Sequence, residues 1–211
     1  STFFYFANQQ NEINLWLVTA SLSTGLVSGA SAIVTAHELG HKKPKSMGWF
    51  LDRILLLSVH YTHFTTEHNH NHHKWVATKK DSASAKVDEG VWSFWIRTIP
   101  GQFISSVNIH NSKGRTGLSN PSYQGLLLQI ILILSLFILP NGLSVIFGWI
   151  IASVIAILTL EYVNYIRHWG LRREVNERQT HLHSWNTESR CSRLSLLELT
   201  RHSDHHLKAS T

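Results

Sequence analysis

Three long apolar runs set the architecture. From Leu15 to Ala36 the chain carries no charged residue, which predicts a membrane-spanning helix over 15–36. Its Ser, Thr and Gly content lowers the hydropathy but suits close helix packing. Two stronger runs, 123–139 and 142–160, are parted by Pro140-Asn141, a pattern that predicts a membrane hairpin with a tight turn. The stretch 49–66 is also mostly apolar, but Asp52 and Arg53 lie inside it. A crossing there would carry the polar residues before and after it to opposite faces of the bilayer, so it reads as an amphipathic helix in the interface. Lys74 to Asn120 is mixed, with Trp92, Phe94, Trp95 and Ile96 as a local apolar patch and Pro100-Gly101 and Asn120-Pro121 as breakers. Loop and short helix are expected there.

Charge orients these elements. The hairpin turn and the first dozen residues lack Lys and Arg, whereas Lys113, Arg115, Arg167, Arg172 and Arg173 flank the open ends. The positive-inside tendency places those ends in the cytoplasm. Lys and Arg exceed Asp and Glu by 19 to 13. With that excess gathered at the ends of apolar runs, the expected partner is a lipid bilayer and not nucleic acid. The 211 residues suit a single domain over 1–211. The one cysteine, Cys191, excludes a disulfide framework and a Cys-based metal site, and reads as a free thiol. The chain opens on Ser without a signal-peptide pattern, and is expected to begin within a longer protein.

Composition adds the chemistry. The 15 histidines are clustered at His37-Glu38-Leu39-Gly40-His41, at Glu67-His68-Asn69-His70-Asn71-His72-His73 and at His202-Ser203-Asp204-His205-His206. If the second cluster is α-helical, His68 and His72 share a face and His73 points to another side, so the pair can serve two metals. Leaving His70 aside, the clusters supply eight imidazoles, too many for one ion and about right for two. His168 follows the last apolar run and falls at the same depth. Glu161, at the end of that run, suggests a functional group or a partner more than lipid contact. Taken alone, His37-Glu38-Leu39-Gly40-His41 also fits a zinc hydrolase helix with Glu38 as general base, but the other clusters have no place in such an enzyme.

H-E-L-G-H at His37, E-H-N-x-x-H-H at Glu67, N-Y-I-x-H-x-G-L at Asn164 and R-H-S-D-H-H at Arg201 together resemble the four histidine boxes of the bacterial alkane 1-monooxygenases. Those enzymes belong to the wider class of integral-membrane di-iron desaturases and hydroxylases. The resemblance implies an all-α integral-membrane helical bundle with a cytoplasmic-face histidine cluster, part of a six-helix enzyme of the bacterial inner membrane. It implies two iron ions held by His37, His41, His68, His72, His73, His168, His202, His205 and His206. Nearby Glu38, Glu67, Asn69, Asn164 and Asp204 are then candidates to orient the imidazoles. The implied activity is hydroxylation of the terminal methyl of an alkane with O₂, one oxygen atom entering the alcohol and the other leaving as water. The implied electron donor is rubredoxin, an acidic carrier for which Lys42, Lys43, Lys45, Lys79, Lys80 and Lys113 offer a basic surface.

The chain departs from the family pattern at Arg167, where Glu is usual, at Trp169, where Tyr is usual, and at His70-Asn71. A cation at Arg167 is expected to alter iron potential or ligand orientation. His60, His63, His110, His181 and His183 are left outside the ligand set. His63 keeps a family-like spacing to Glu67, and His183-Ser184-Trp185-Asn186 resembles a family segment. A related desaturase or fatty-acyl hydroxylase is the first alternative, and a non-enzymatic membrane metal-binding or transport protein is the alternative of another class.

Overall fold

The computed structural model describes residues 2–190 and 201–208; Cys191 lies outside them. Among the described residues all regular structure is helical. A short helix α1 (Thr2–Asn8) leads to α2 (Leu15–Leu39), capped by the Asn14 side chain on the Leu17 amide. Then come α3 (Met47–Ser58), α4 over 64–75 and α5 (Val91–Asn111). The hairpin is α6 (Pro121–Ile138) and α7 (Gly142–His168), and α8 (His202–Lys208) closes the described chain. Three of these, α2, α6 and α7, are long and apolar enough to cross a membrane.

Close approach of α2 to α7 organises the bundle. A Cβ on Gly25 would lie 2.6 Å from the Ala152 carbonyl oxygen, and one on Gly29 would lie 2.8 Å from Thr159 Cβ. Gly25 and Gly29 are thus a pair of small residues one turn apart that lets two backbones nearly touch. Below the histidines, Ile33, Ala36, Leu56, Tyr61, Phe64 and Leu160 form the main buried cluster. On α6, by contrast, Leu127, Ile130, Ile131 and Leu134 all face outward, as lipid contact requires.

Three expectations from the sequence need correction. The first run, expected over 15–36, continues as helix to Leu39, so His37 and Glu38 stand on the apolar helix itself. The last run continues as helix past 160 to His168, as a helix carried on out of the bilayer should. The interfacial segment 49–66 is two helices, because the chain turns at 59–63. His60 takes a left-handed φ of 56° there, and the Tyr61 amide closes α3 on the Leu56 carbonyl. Asp52, which argued against a crossing, is fully buried and accepts from Thr65 Oγ1 at 2.8 Å and from Arg53 at 3.0 Å.

The region expected to be loop contains α5, 21 residues long, with Pro100 inside it. Its buried stripe is Phe94, Thr98, Gln102, Ser106 and His110, one residue per turn. That stripe is mostly polar, so the spacing is helical while the hydrophobic signal is absent. Its polar groups meet Glu161 on α7, whose carboxylate accepts from Tyr61 OH at 2.9 Å, Thr98 Oγ1 at 3.2 Å, Gln102 Nε2 at 2.8 Å and Asn164 Nδ2 at 3.2 Å. A fully buried carboxylate is thereby satisfied by three segments of chain.

Candidate metal centre

The second histidine cluster is not α-helical. Residues His68–His72 form a π turn, which carries about one extra residue per turn. The consequence is a new pairing: His73 Nε2 meets His68 Nε2 at 2.9 Å, five residues away, while His72 turns to the other side. Asn69 anchors this turn to the end of α2 by donating to the Gly40 carbonyl at 2.8 Å. A second π turn, Ser28–Ile33, precedes His37 in α2.

The imidazoles fall into two groups. His37, His41, His68 and His205 form one, and His72, His168, His202 and His206 the other, with one ring nitrogen from each residue within 4.8 Å of all the others in its group. His73 lies at the seam. Its Nε2 is 3.1 Å from His205 Nε2, and its ring centre is 4.6 Å from that of His206. α8 contributes to both groups, because His202 and His206 are one turn apart and His205 points elsewhere. All nine residues that the family resemblance singles out are therefore drawn together. The five histidines left aside lie outside both groups.

The electrostatics suit a cation. Burial, followed by repulsion from neighbouring rings, lowers His41 to about 4 and pushes His68, His73, His202, His205 and His206 well below the ordinary imidazole range. These rings are neutral at pH 7 and present lone pairs. Burial acts downward on His72 as well, but the Asp81 carboxylate outweighs it and raises the group. Neutral ring nitrogens facing one another at about 3 Å are unfavourable without a proton or a cation between them. His37 Nε2, His41 Nε2 and His72 Nε2 are buried without a hydrogen-bond partner, and the Nε2 atoms of His202 and His206 face each other at 3.0 Å. That is the donor set a metal ion satisfies.

Three ligand candidates have a ring nitrogen held by an acceptor. His72 Nδ1 donates to Asp81 Oδ2 at 2.8 Å, which leaves Nε2 as the lone pair. His168 Nδ1 lies 3.2 Å from the His183 carbonyl, and His37 Nδ1 lies 3.2 Å from Glu38 Oε1. Glu38 thus sits as expected beside an imidazole. Asn164 donates to Glu161 at 3.2 Å, and Glu161 is bonded to Tyr61, Thr98 and Gln102, not to a ring of the cluster. Glu67 is buried and accepts from Asn71 Nδ2 at 2.8 Å, and burial with the nearby Asp81 charge raises it to about 8, so it touches none of the nine rings by hydrogen bond. Asp204 is exposed and faces His181 at 3.5 Å, not a ligand candidate.

Arg167 is not aimed at the rings either: its guanidinium donates to the Trp185 carbonyl at 3.0 Å.

The residue that sequence reading missed is Asp81. It is fully buried, and besides His72 it holds Ser84 Oγ at 2.6 Å and the Ala83 amide at 3.0 Å. It stands in a polar stretch with no motif around it, and only the fold brings it to His72. An open cleft of about 470 Å³ reaches His41, His73 and His206 from between α3 and α4, past Lys42, Trp49 and Arg53.

Comparison with known proteins agrees with this geometry. The family model described as fatty acid desaturase matches residues 14–211. Alkane 1-monooxygenase 2 of Alcanivorax borkumensis is 37% identical over 206 residues, covering 92% of this chain and 52% of that protein. Alkane 1-monooxygenase of Ectopseudomonas oleovorans is 38% identical over 206 residues, covering 88% and 48%. The xylene/toluene monooxygenase hydroxylase component XylM of Pseudomonas putida is 29% identical over 202 residues, covering 90% and 53%. The chain spans about half the length of the curated relatives it matches. The family model covers nearly the whole chain and three helices are long and apolar enough to cross a bilayer: this is a membrane protein, and the chain belongs to the fatty acid desaturase family.

Proposed function

We propose that this chain is the metal-binding part of a longer, six-helix non-haem di-iron monooxygenase that hydroxylates the terminal methyl of alkanes to primary alcohols. One observation carries the reading: two adjoining groups of four histidines, each residue bringing one ring nitrogen to within 4.8 Å of those of the others in its group. His37, His41, His68 and His205 would hold one iron, and His72, His168, His202 and His206 the other, with His73 at the seam between them. The residues 1–211 act as one domain, and the spans are α2, α6 and α7. Bound iron would supply O₂ chemistry, in which an alkane, O₂, two electrons and two protons give an alcohol and water.

The chain's own residues account for the rest. Asp81, Glu38 and the His183 carbonyl orient three of the rings. An alkane has no polar handle, so apolar walls between spanning helices must place it by shape. The exposed Lys42, Lys43, Lys45, Lys79, Lys80 and Lys113 fit an acidic electron carrier such as rubredoxin. The charge pattern at the helix ends supports an inner-membrane location with the histidines on the cytoplasmic side.

The test uses the full-length protein in detergent, with iron counted per chain and octane, O₂ and a reduced rubredoxin system supplied. Two irons and 1-octanol are the expected result. Two irons without octanol, but with desaturation or hydroxylation of a fatty-acyl substrate supplied in place of octane, would instead support a desaturase or fatty-acyl hydroxylase, the reading that the family model's description favours. Metal bound and released without any oxidation would overturn both in favour of a metal carrier.

A further inference from the structure

We propose that residues 181–186 form a brace that sets the second histidine group, and that Asn186 is its positioning residue. The proposal rests on the metal-binding reading above. That group joins His168, at the end of α7, to His202 and His206, on α8, which lie far along the chain. α8 is described over seven residues, a length that does not hold helical form in isolation. Something outside it must fix its place.

Asn186 does so at one end of the brace. Its Oδ1 accepts the Ser203 backbone N–H at 2.9 Å and its Nδ2 donates to Ser203 Oγ at 2.6 Å. The Ser203 amide belongs to the first turn of α8, where backbone donors have no partner within the helix. Asn186 therefore caps α8 from another segment and gives it a defined position.

The other end of the brace is fastened to α7. The Trp185 amide donates to the Arg167 carbonyl at 2.8 Å, Arg167 donates back to the Trp185 carbonyl at 3.0 Å, and Trp185 Nε1 donates to the Trp169 carbonyl at 3.0 Å. Between the two ends, the His183 carbonyl takes the Nδ1 proton of His168. One short segment thus bonds the His168 ring, the backbone on both sides of it and the first turn of α8. The result is that His168 Nε2 and His202 Nε2 stand 3.2 Å apart. Arg167 is a fastener of the brace, which gives this departure from the family pattern a role without direct contact with the ligand nitrogens.

The experiment compares Asn186→Ala and Asn186→Asp with the unaltered full-length protein. Amide hydrogen exchange is read in the metal-free state, and Fe(II) affinity by chelator competition. In Asn186→Ala, exchange at 203–206 should rise roughly tenfold while that at 152–160 stays unchanged, and Fe(II) affinity should fall by a similar factor. Asn186→Asp keeps the acceptor for the Ser203 amide and should restore most of both. Unchanged exchange in α8, faster exchange with unaltered Fe(II) affinity, or an Asp variant no better than Ala would each overturn the proposal. An unaltered protein that binds no Fe(II) would refute the metal reading, and the proposed role of Asn186 in setting ligands would fall with it.

Discussion

Asp81 shows what a single side chain contributes to this centre. A buried carboxylate against Nδ1 of His72 fixes which ring nitrogen keeps its proton, and so leaves Nε2 to serve as a ligand. Asp81→Asn retains an acceptor but removes the charge, and should lower iron affinity roughly 10–100-fold; metal content after dialysis against a graded chelator series checks this. His63 offers a test of a different kind, because it is not a ligand candidate. Burial lowers it from 6.5 to about 4, so the unfolded chain takes up its proton first as pH falls. The stability it contributes is complete above pH 6.5 and is lost between 6.5 and 4, amounting at most to about 3 kcal/mol. Relative to the unaltered protein, His63→Gln should show a shallower fall in thermal stability between pH 7 and 4. Parallel slopes would show that His63 is not held neutral by the fold.

At the scale of elements, the geometry turns on two devices: small residues and π turns. Gly25 and Gly29 set the spacing between α2, which carries His37 and leads into the turn that carries His41, and α7, which carries His168. Gly25→Leu would drive a side chain into the Ala152 carbonyl and Ile155. It should destabilise the bundle by about 1–3 kcal/mol, measured by unfolding in mixed detergent micelles, whereas Leu26→Ala on the exposed side of α2 should change little. The π turn at His68–His72 has a different role. An α-helical continuation would keep His68 in phase with His72; the wider turn sends His72 to one group and pairs His68 with His73. α5 is the element that sequence periodicity hides, because a buried face made of Thr98, Gln102 and Ser106 carries no hydrophobic pattern. The interaction of that face with Glu161 explains why so polar a face is buried at all.

Over the whole molecule, lipid-facing helices and buried imidazoles meet at one end of the bundle. The histidines come from α2, α4, α7 and α8, so an ion bound there cross-links segments that are distant in the chain. Binding to the folded state alone stabilises it by mass action, about 4 kcal/mol when free metal is 1,000 times its Kd. Stripping iron should therefore lower the melting temperature in proportion to log free metal and speed amide exchange in α4 and α8, with the α2–α7 crossing least affected. Equal loss of protection throughout would mean that the cluster is not a separate source of order.

What the residues alone determined is considerable. The all-helical class, three spanning candidates and a hairpin turn at Pro140-Asn141 follow from hydropathy, which is a local sum along the chain. Clustering of rare residues was equally visible, so H-E-L-G-H, H-N-H-N-H-H and H-S-D-H-H declared a metal-competent face before any coordinates. Only the tertiary structure decided how eight imidazoles divide with His73 at the seam, that Asp81 holds His72, that Glu67 pairs with Asn71 and Asp204 faces His181, and that Arg167 grips a carbonyl. The reason is physical: spanning helices are specified by the residues within them, while partners across a fold are set by packing between segments whose relative placement no local pattern encodes.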